Sequence, residues 1–259
     1  MINTKTNITF WITFVIGFFL VITSCTTKEA FTFEKQNFTV DSLLDCKNIE
    51  CASIEITLLK IVEETPVSKN INQEIERMAC SVLNIGENET MGTLREEVNQ
   101  FNVSYQEIHE KFGDEIPQYE ANINCELGFA CKSLISLALD SYIFTGGAHG
   151  YGSLSFLNID TKTGKRIANK DLFKNYTEFE NYAERVFRST YEILENESIN
   201  STGFFFENDT FTLPENIGFT DTEVILYYNP YEISSYAEGP VEIKIKKEDV
   251  ASYFAFDVL

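Results

Sequence analysis

The sequence predicts an α+β protein in which antiparallel sheets pack against helices, arranged as two small, tightly associated domains. Short runs that alternate apolar and polar residues indicate half-buried strands. Longer runs with apolar residues every three or four positions indicate amphipathic helices. Both kinds of run occur in each half of the chain, as expected for helix on antiparallel sheet. With 259 residues, 44% of them hydrophobic and 14% aromatic, the chain can bury a substantial core.

The N-terminus has the layout of an exported lipoprotein. A polar start precedes an apolar run at 8–22, which is shorter than the about 20 residues of a spanning helix. The following Ile22-Thr23-Ser24-Cys25 resembles the lipobox of bacterial lipoproteins, and an ordinary secretory signal is the alternative. We therefore predict a signal peptide at 1–24, a lipid on Cys25 that fixes the chain to the cell membrane or the outer membrane, and a tether at 25–45. The remainder would be extracytoplasmic, in the periplasm or on the cell surface.

The first domain is predicted at 46–144. Two alternating runs, Ile54–Leu58 and Tyr119–Leu127, and a longer run at 132–144 predict strands. Between the first two, residues 69–83 and 94–112 have helical spacing, and the second helix begins at a sequence that resembles a capping box. A strand, two helices and a returning hairpin form an α+β unit.

The second domain is predicted at 145–259. It begins with a hairpin, 154–159 and 165–168, around the turn Asp160–Gly164, because Asp opens turns and Gly accepts positive φ. A long amphipathic helix at 171–196 follows. Three strands near 204–206, 224–228 and 241–245 complete the predicted domain.

The chain is strongly acidic. Twenty Lys and Arg stand against forty Asp and Glu, for a formal net charge of −20, and removal of the signal peptide takes away only Lys5 and gives −21. The negative electrostatic field of such a chain disfavours binding to nucleic acid and attracts cations and basic proteins. Solubility alone is the alternative explanation of the acidity.

Without Cys25 the chain has an odd number of cysteines, so at least one is unpaired within the chain. Cys80 lies in a helical pattern and is predicted to be a buried free thiol. The disulfide candidates are Cys46, Cys51, Cys125 and Cys131, paired either locally, 46 with 51 and 125 with 131, or crosswise. With two histidines and no CxxC pair, no metal site is predicted.

Two loops contain the candidate binding residues. Thr145–Gly150 has three glycines and His149, but it has neither phosphate-loop spacing nor a recognisable nucleophile, so we predict a local turn, no catalytic residue and no cofactor. The segment Tyr227–Pro240 is rich in tyrosine, which binds proteins or sugars on loops and also fills cores. The predicted partner-binding residues are His149, Tyr151, Tyr231 and Tyr236.

Several motifs of the second half resemble the C-terminal extracellular domain of RsiV-type anti-sigma factors. They are Thr145–Gly150, Asn158-Ile159-Asp160 with Thr163-Gly164-Lys165, Asp171-Leu172-Phe173, Pro230–Ile233, and Tyr236–Pro240. Residues 46–140 are similar to the domain that precedes it there, which also occurs in PdaC-type peptidoglycan deacetylases. Together the two similarities cover nearly all of the chain after Cys25.

The resemblance implies a binding module. The best-known RsiV-type protein binds lysozyme, which implies a basic, lysozyme-like partner here. Only seven residues precede the apolar run, so we expect no cytoplasmic sigma-binding domain, and the separate deacetylase domain of the other relatives is not found. The alternatives are a peptidoglycan- or glycan-associated envelope module and an unrecognised hydrolase that uses His149.

Overall fold

The structure is a computed structural model that describes residues 31–43, 46, 50–85 and 92–259. The predicted signal peptide, the lipidation site Cys25 and the first part of the predicted tether lie outside these residues. Within the described ranges, no helix is both long and apolar enough to cross a membrane.

Six strands form the first sheet, in the order in which they occur along the chain. The strands are β1 (Phe33–Thr39), β2 (Ser53–Ile61), β3 (Glu120–Ala130), β4 (Leu134–Phe144), β5 (Tyr151–Asp160) and β6 (Lys165–Arg166). All neighbours are antiparallel except β2 and β3, which are parallel. A parallel pair needs a long crossover, and here two helices between β2 and β3 supply it.

The helices of this half pack on one face of the first sheet. The short α1 (Val40–Leu43) follows β1, and the crossover contains α2 (Pro66–Leu83) and α3 (Leu94–Phe112). Thr93 and Glu96 form the predicted capping box at the start of α3. The buried faces of α2 and α3 meet the apolar residues of β2 to β5 in one core.

The second half contains a three-stranded antiparallel sheet of β7 (Asn216–Phe219), β8 (Glu223–Tyr228) and β9 (Val241–Lys246). The helix α4 (Tyr176–Thr190) shares a second core with this sheet, in which many of the buried rings are phenylalanines. The short α5 (Lys247–Val250) follows β9. Helices therefore pack with both sheets, and the predicted α+β class is confirmed.

The two sheets are joined by direct contacts. The Asn158 side chain donates to the Ile217 carbonyl at 2.7 Å, and the Phe219 N–H donates to the Ser136 hydroxyl at 3.1 Å. Lys247 is 2% exposed, and its Nζ lies 3.4 Å from the centre of the Phe129 ring. Burial lowers the pKa of this lysine. The halves are therefore tightly packed against each other.

Three secondary-structure predictions are wrong. The predicted tether contains β1, whose seven residues pair along β2, so this part of the chain belongs to the sheet. The predicted helix 171–196 is limited to α4, because the Asn175 side chain caps it by accepting from the Glu178 N–H, and Glu192 has a positive φ of 56° after it. The predicted strand 204–206 is a loop. The rings of Phe204 and Phe206 in this loop pack against the ring of Phe187.

Side-chain hydrogen bonds explain the loop at 204–206. Asn200 accepts from the Phe206 N–H at 2.7 Å and donates to its carbonyl at 3.0 Å, so this backbone is satisfied without a neighbouring strand. The third strand of the sheet is instead β7, which is short and contains Gly218. The strand pairing also crosses the predicted domain boundary at 144/145, because the hairpin of β5 and β6 continues the first sheet.

Candidate functional site

The two loops with the candidate binding residues lie side by side at one end of the sheets. The first connects β4 to β5, and the second connects β8 to β9. The Tyr236 hydroxyl donates to the Gly150 carbonyl at 2.9 Å, and the Tyr151 hydroxyl donates to the Pro230 carbonyl at 3.3 Å. Residues about eighty positions apart in sequence thus form one surface.

Three aromatic rings stack on this surface. The rings of His149 and Tyr236 are 3.9 Å apart and inclined by 15°, and those of Tyr231 and Tyr236 are 5.5 Å apart and inclined by 28°. Tyr231 is the outer ring and is 56% exposed. Together with the neighbouring Tyr151, these residues are all four predicted partner-binding residues, and we call them the aromatic cluster.

The His149 ring has a defined hydrogen bond. Its Nδ1 lies 3.0 Å from the Gly150 carbonyl, and since a carbonyl only accepts, Nδ1 carries the proton in this contact. Gly150 O therefore accepts from both His149 and Tyr236. Within the described ranges no carboxylate forms an ion pair with His149. A histidine paired with a carboxylate, which orients the catalytic base in many enzymes, is therefore not seen in this part of the chain.

The backbone of the second loop is held in an uncommon conformation. Tyr231 has a φ of +74°, which is unfavourable for a bulky side chain and persists only where the surroundings enforce it. Asn229 enforces it, because its side chain accepts from the Leu154 N–H at 2.9 Å and donates to the Leu154 carbonyl at 3.1 Å. Its own N–H donates to Glu232 at 2.7 Å. The tyrosines therefore stand on a fixed loop.

Carboxyl groups lie near two tyrosines of this region, Tyr151 and Tyr227. Burial raises the pKa of Tyr151, and the charge of Glu232 raises it further. Burial also raises the pKa of Tyr227, with added contributions from Glu242 and Asp140. Between Arg188 and Lys244 the chain has eleven acidic residues and no Lys or Arg. The chemistry of the site thus combines ring faces, hydroxyl groups and negative charge.

Some neighbours of the cluster were not predicted from sequence. Gly150 is buried and packs against Tyr142, since a Cβ on Gly150 would lie 2.4 Å from the Tyr142 ring. Tyr227 lies near both Asp140 and Tyr151, since each contributes to the raised pKa of Tyr227. The sequence signal that could have identified Tyr142 is its position on the outward face of a strand with alternating residues.

The cysteines lie away from this site. Cys46 is bridged to Cys51, one of the predicted local bridges, whereas the other local bridge and the crosswise ones are wrong because Cys125 and Cys131 are free. Six residues of extended chain separate these two by about 20 Å, and a disulfide needs Cα atoms within about 7 Å. Cys80 is a buried free thiol, which confirms the prediction. In the described ranges, no group of three or more His, Cys, Asp or Glu could hold a metal ion.

Two family models match the chain in succession. The model described as deacetylase PdaC matches residues 46–151, and the model described as a protein of unknown function, DUF3298, matches residues 170–248. The chain therefore carries a PdaC-like domain followed by a DUF3298-like domain, in the order that the sequence resemblance predicted. No curated protein matches the sequence.

Two solved structures are similar to this chain over most of its length. A DUF3298 family member from Bacteroides fragilis NCTC 9343 is 20% identical, with a TM-score of 0.67, 88% of this chain and 95% of that chain covered. A DUF3298 family protein from Pseudomonas aeruginosa PAO1 is 17% identical, with a TM-score of 0.59, 88% of this chain and 96% of that chain covered. At this level of identity the likeness shows the shared fold.

Proposed function

We propose that this chain is a non-catalytic lipoprotein of the cell envelope, whose aromatic cluster binds a basic, lysozyme-like protein outside the cytoplasm. The observation that carries the proposal is the fixed stack of His149 on Tyr236 and Tyr231, two tyrosines of an acidic stretch that lacks Lys and Arg. The order of the two domains and the resemblance to RsiV-type proteins support it.

The chemistry of the cluster suits cationic side chains. A Lys or Arg of the partner over an exposed tyrosine ring gains about 0.5–2 kcal/mol, depending on how far it is desolvated. Carboxylates around the rings add attraction and raise the association rate at low salt. Because hydrogen bonds to the Asn229 side chain and to the Gly150 carbonyl already fix both loops, binding costs little ordering of the tyrosines.

The anchor is part of the proposal. Cys25 would carry the lipid, as its lipobox-like surroundings indicate, and the chain would act as a binder tethered to the membrane. Deacetylase chemistry, which the name of the first family model suggests for its relatives, is not part of the proposal.

The test is a titration of residues 26–259 against lysozyme at low and high salt. We expect binding that weakens as salt rises, and a loss of at least tenfold in affinity for Tyr231→Ala. The matched control is Phe112→Ala, because Phe112 is 55% exposed and lies at the end of α3, in the helix layer. No binding at low salt, or an equal loss for both variants, would contradict the proposal.

Association with peptidoglycan or another glycan is the second candidate function. The exposed ring of Tyr231 favours it, since tyrosine faces also pack on sugar rings. Retention of the chain on insoluble cell wall, with Tyr231→Ala as the comparison, tests this candidate. A chain of net charge −20 should be retained only through specific contacts, so wall retention that is lost in the variant supports a glycan ligand.

A further inference from the structure

The opposite end of the first sheet differs from the rest of the surface in charge. The turn between β3 and β4 and the turn between β5 and β6 lie there, and the Thr161 hydroxyl joins them by donating to the Lys132 carbonyl at 2.6 Å. Strand β5 leads from the aromatic cluster to this end. Its ten residues span about 30 Å.

Exposed cations gather at this end. Residues 161–175 contain five Lys and Arg and one acid, Asp171, in a chain with twice as many acids as bases. We define the basic end by its four exposed cations: Lys132, Lys162, Lys165 and Arg166. In the part of the chain that the structure describes, none of the four forms an ion pair with a carboxylate.

Three nearby acids, Asp160, Glu63 and Glu64, have other partners. The Asp160 carboxylate accepts from the Lys162 N–H at 2.9 Å and from the Thr163 hydroxyl at 3.2 Å, within the turn. Glu64 pairs with Lys69 at 3.4 Å, and Glu63 accepts from the backbone of Thr32. The cations of the basic end therefore remain available to an external anion.

The chain enters the fold at the same end. Phe33 at the start of β1 pairs with Ile61 at the end of β2, and β2 runs parallel to β3, which ends at the Lys132 turn. Cys25 precedes Phe33 by eight residues, which reach about 28 Å at most when fully extended. A lipid on Cys25 would therefore hold the basic end, and not the aromatic cluster, next to the membrane.

We propose that the basic end binds the anionic phospholipid headgroups of the membrane and so directs the aromatic cluster away from it. Each Lys or Arg near such a surface strengthens binding roughly fivefold. The acids around the aromatic cluster do not prevent this, because electrostatic effects decay over about 8 Å at physiological salt and the cluster is about 30 Å away.

The test is cosedimentation of unlipidated residues 26–259 with vesicles of phosphatidylcholine, with and without phosphatidylglycerol. We expect binding only to the vesicles with phosphatidylglycerol, and at least about 25-fold weaker binding for Lys165→Glu/Arg166→Glu, because the loss of two cations alone accounts for about 25-fold and the two added carboxylates are repelled as well. The control Lys111→Glu/Lys244→Glu has the same net charge and changes exposed lysines elsewhere, and it should bind like the parent within twofold. Unchanged thermal unfolding shows that both variants are folded.

Three outcomes would overturn the proposal. They are no binding of the parent to phosphatidylglycerol vesicles, an equal loss in both double variants, and tighter binding to soluble polyphosphate than to vesicles at equal phosphate concentration, which would indicate a wall polymer. The biological role of the basic end rests on the proposed lipid anchor. The two tests are nevertheless separable, because Lys165→Glu/Arg166→Glu should leave lysozyme binding at the other end of the sheet unchanged.

Discussion

Replacing Gly218 by alanine tests how closely the two sheets are packed. A Cβ on Gly218 would lie 2.1 Å from Cδ1, 2.2 Å from Cε1 and 2.5 Å from Cγ of the Phe156 ring, which is buried between the sheets. Ordinary contacts are at 3.4 Å or more, so the ring or the strand must move by about 1 Å. Overpacking of this kind costs about 1–3 kcal/mol. We expect a loss of about 2 kcal/mol, or roughly 4–8 °C in Tm for a chain of this size.

The assay is urea and thermal unfolding of residues 26–259, with Gly152→Ala as the matched control. Gly152 is a glycine within a strand, as Gly218 is, and it lies in β5, the strand of Phe156. A Cβ added to Gly152 would meet only the Ser141 carbonyl, at 3.9 Å. That variant should stay within about 0.5 kcal/mol of the parent. In a Phe156→Ala background, most of the cost of Gly218→Ala should vanish, because the clashing ring is gone. A full cost in that background, or no cost in the parent, would refute the packing argument.

Three further outcomes are expected. Asn229→Ala leaves the Leu154 N–H and carbonyl without their partner, and should lower the free energy of unfolding by about 2 kcal/mol in urea unfolding. Because the loop loosens, the same variant should bind lysozyme more weakly in a titration. Unchanged stability and affinity would contradict this. Burial raises the pKa of the Cys80 thiol to about 12 and of the Cys125 thiol to about 11, so in native protein at pH 8 a thiol reagent should modify Cys131 much faster than either. Desolvation raises the pKa of the Glu232 carboxyl in the folded protein. The contribution of this carboxyl to stability is therefore present below pH 4.5 and is lost as pH rises through the higher folded pKa. Glu232→Gln should raise Tm at pH 7 more than at pH 4.

Local signals were sufficient to predict most of the elements. The capping box at Thr93 marks the start of α3, alternating patterns mark β2 and β3, and the turn Asp160–Gly164 marks the hairpin of β5 and β6. Strand β1 was not recognised because its sequence, FEKQNFT, is polar and its half-buried edge position leaves a weak alternation. The pairing of β2 with β3 could not be predicted either, since it depends on how α2 and α3 cross the sheet.

The aromatic cluster could be predicted only in part. Residue type identified His149, Tyr231 and Tyr236 as candidates for binding, because loop histidine and tyrosines suit that role. His149 and the two tyrosines are about eighty residues apart in sequence. Their contact depends on the packing of one sheet against the other and on the positive φ of Tyr231. No local pattern encodes either property.

The most direct test of the account is hydrogen–deuterium exchange of residues 26–259 with and without lysozyme. The proposed binding predicts slower exchange at 145–151 and 227–240, the two loops that form the aromatic cluster, and no change at the basic end. Unchanged exchange throughout the chain, or protection confined to other segments, would contradict it.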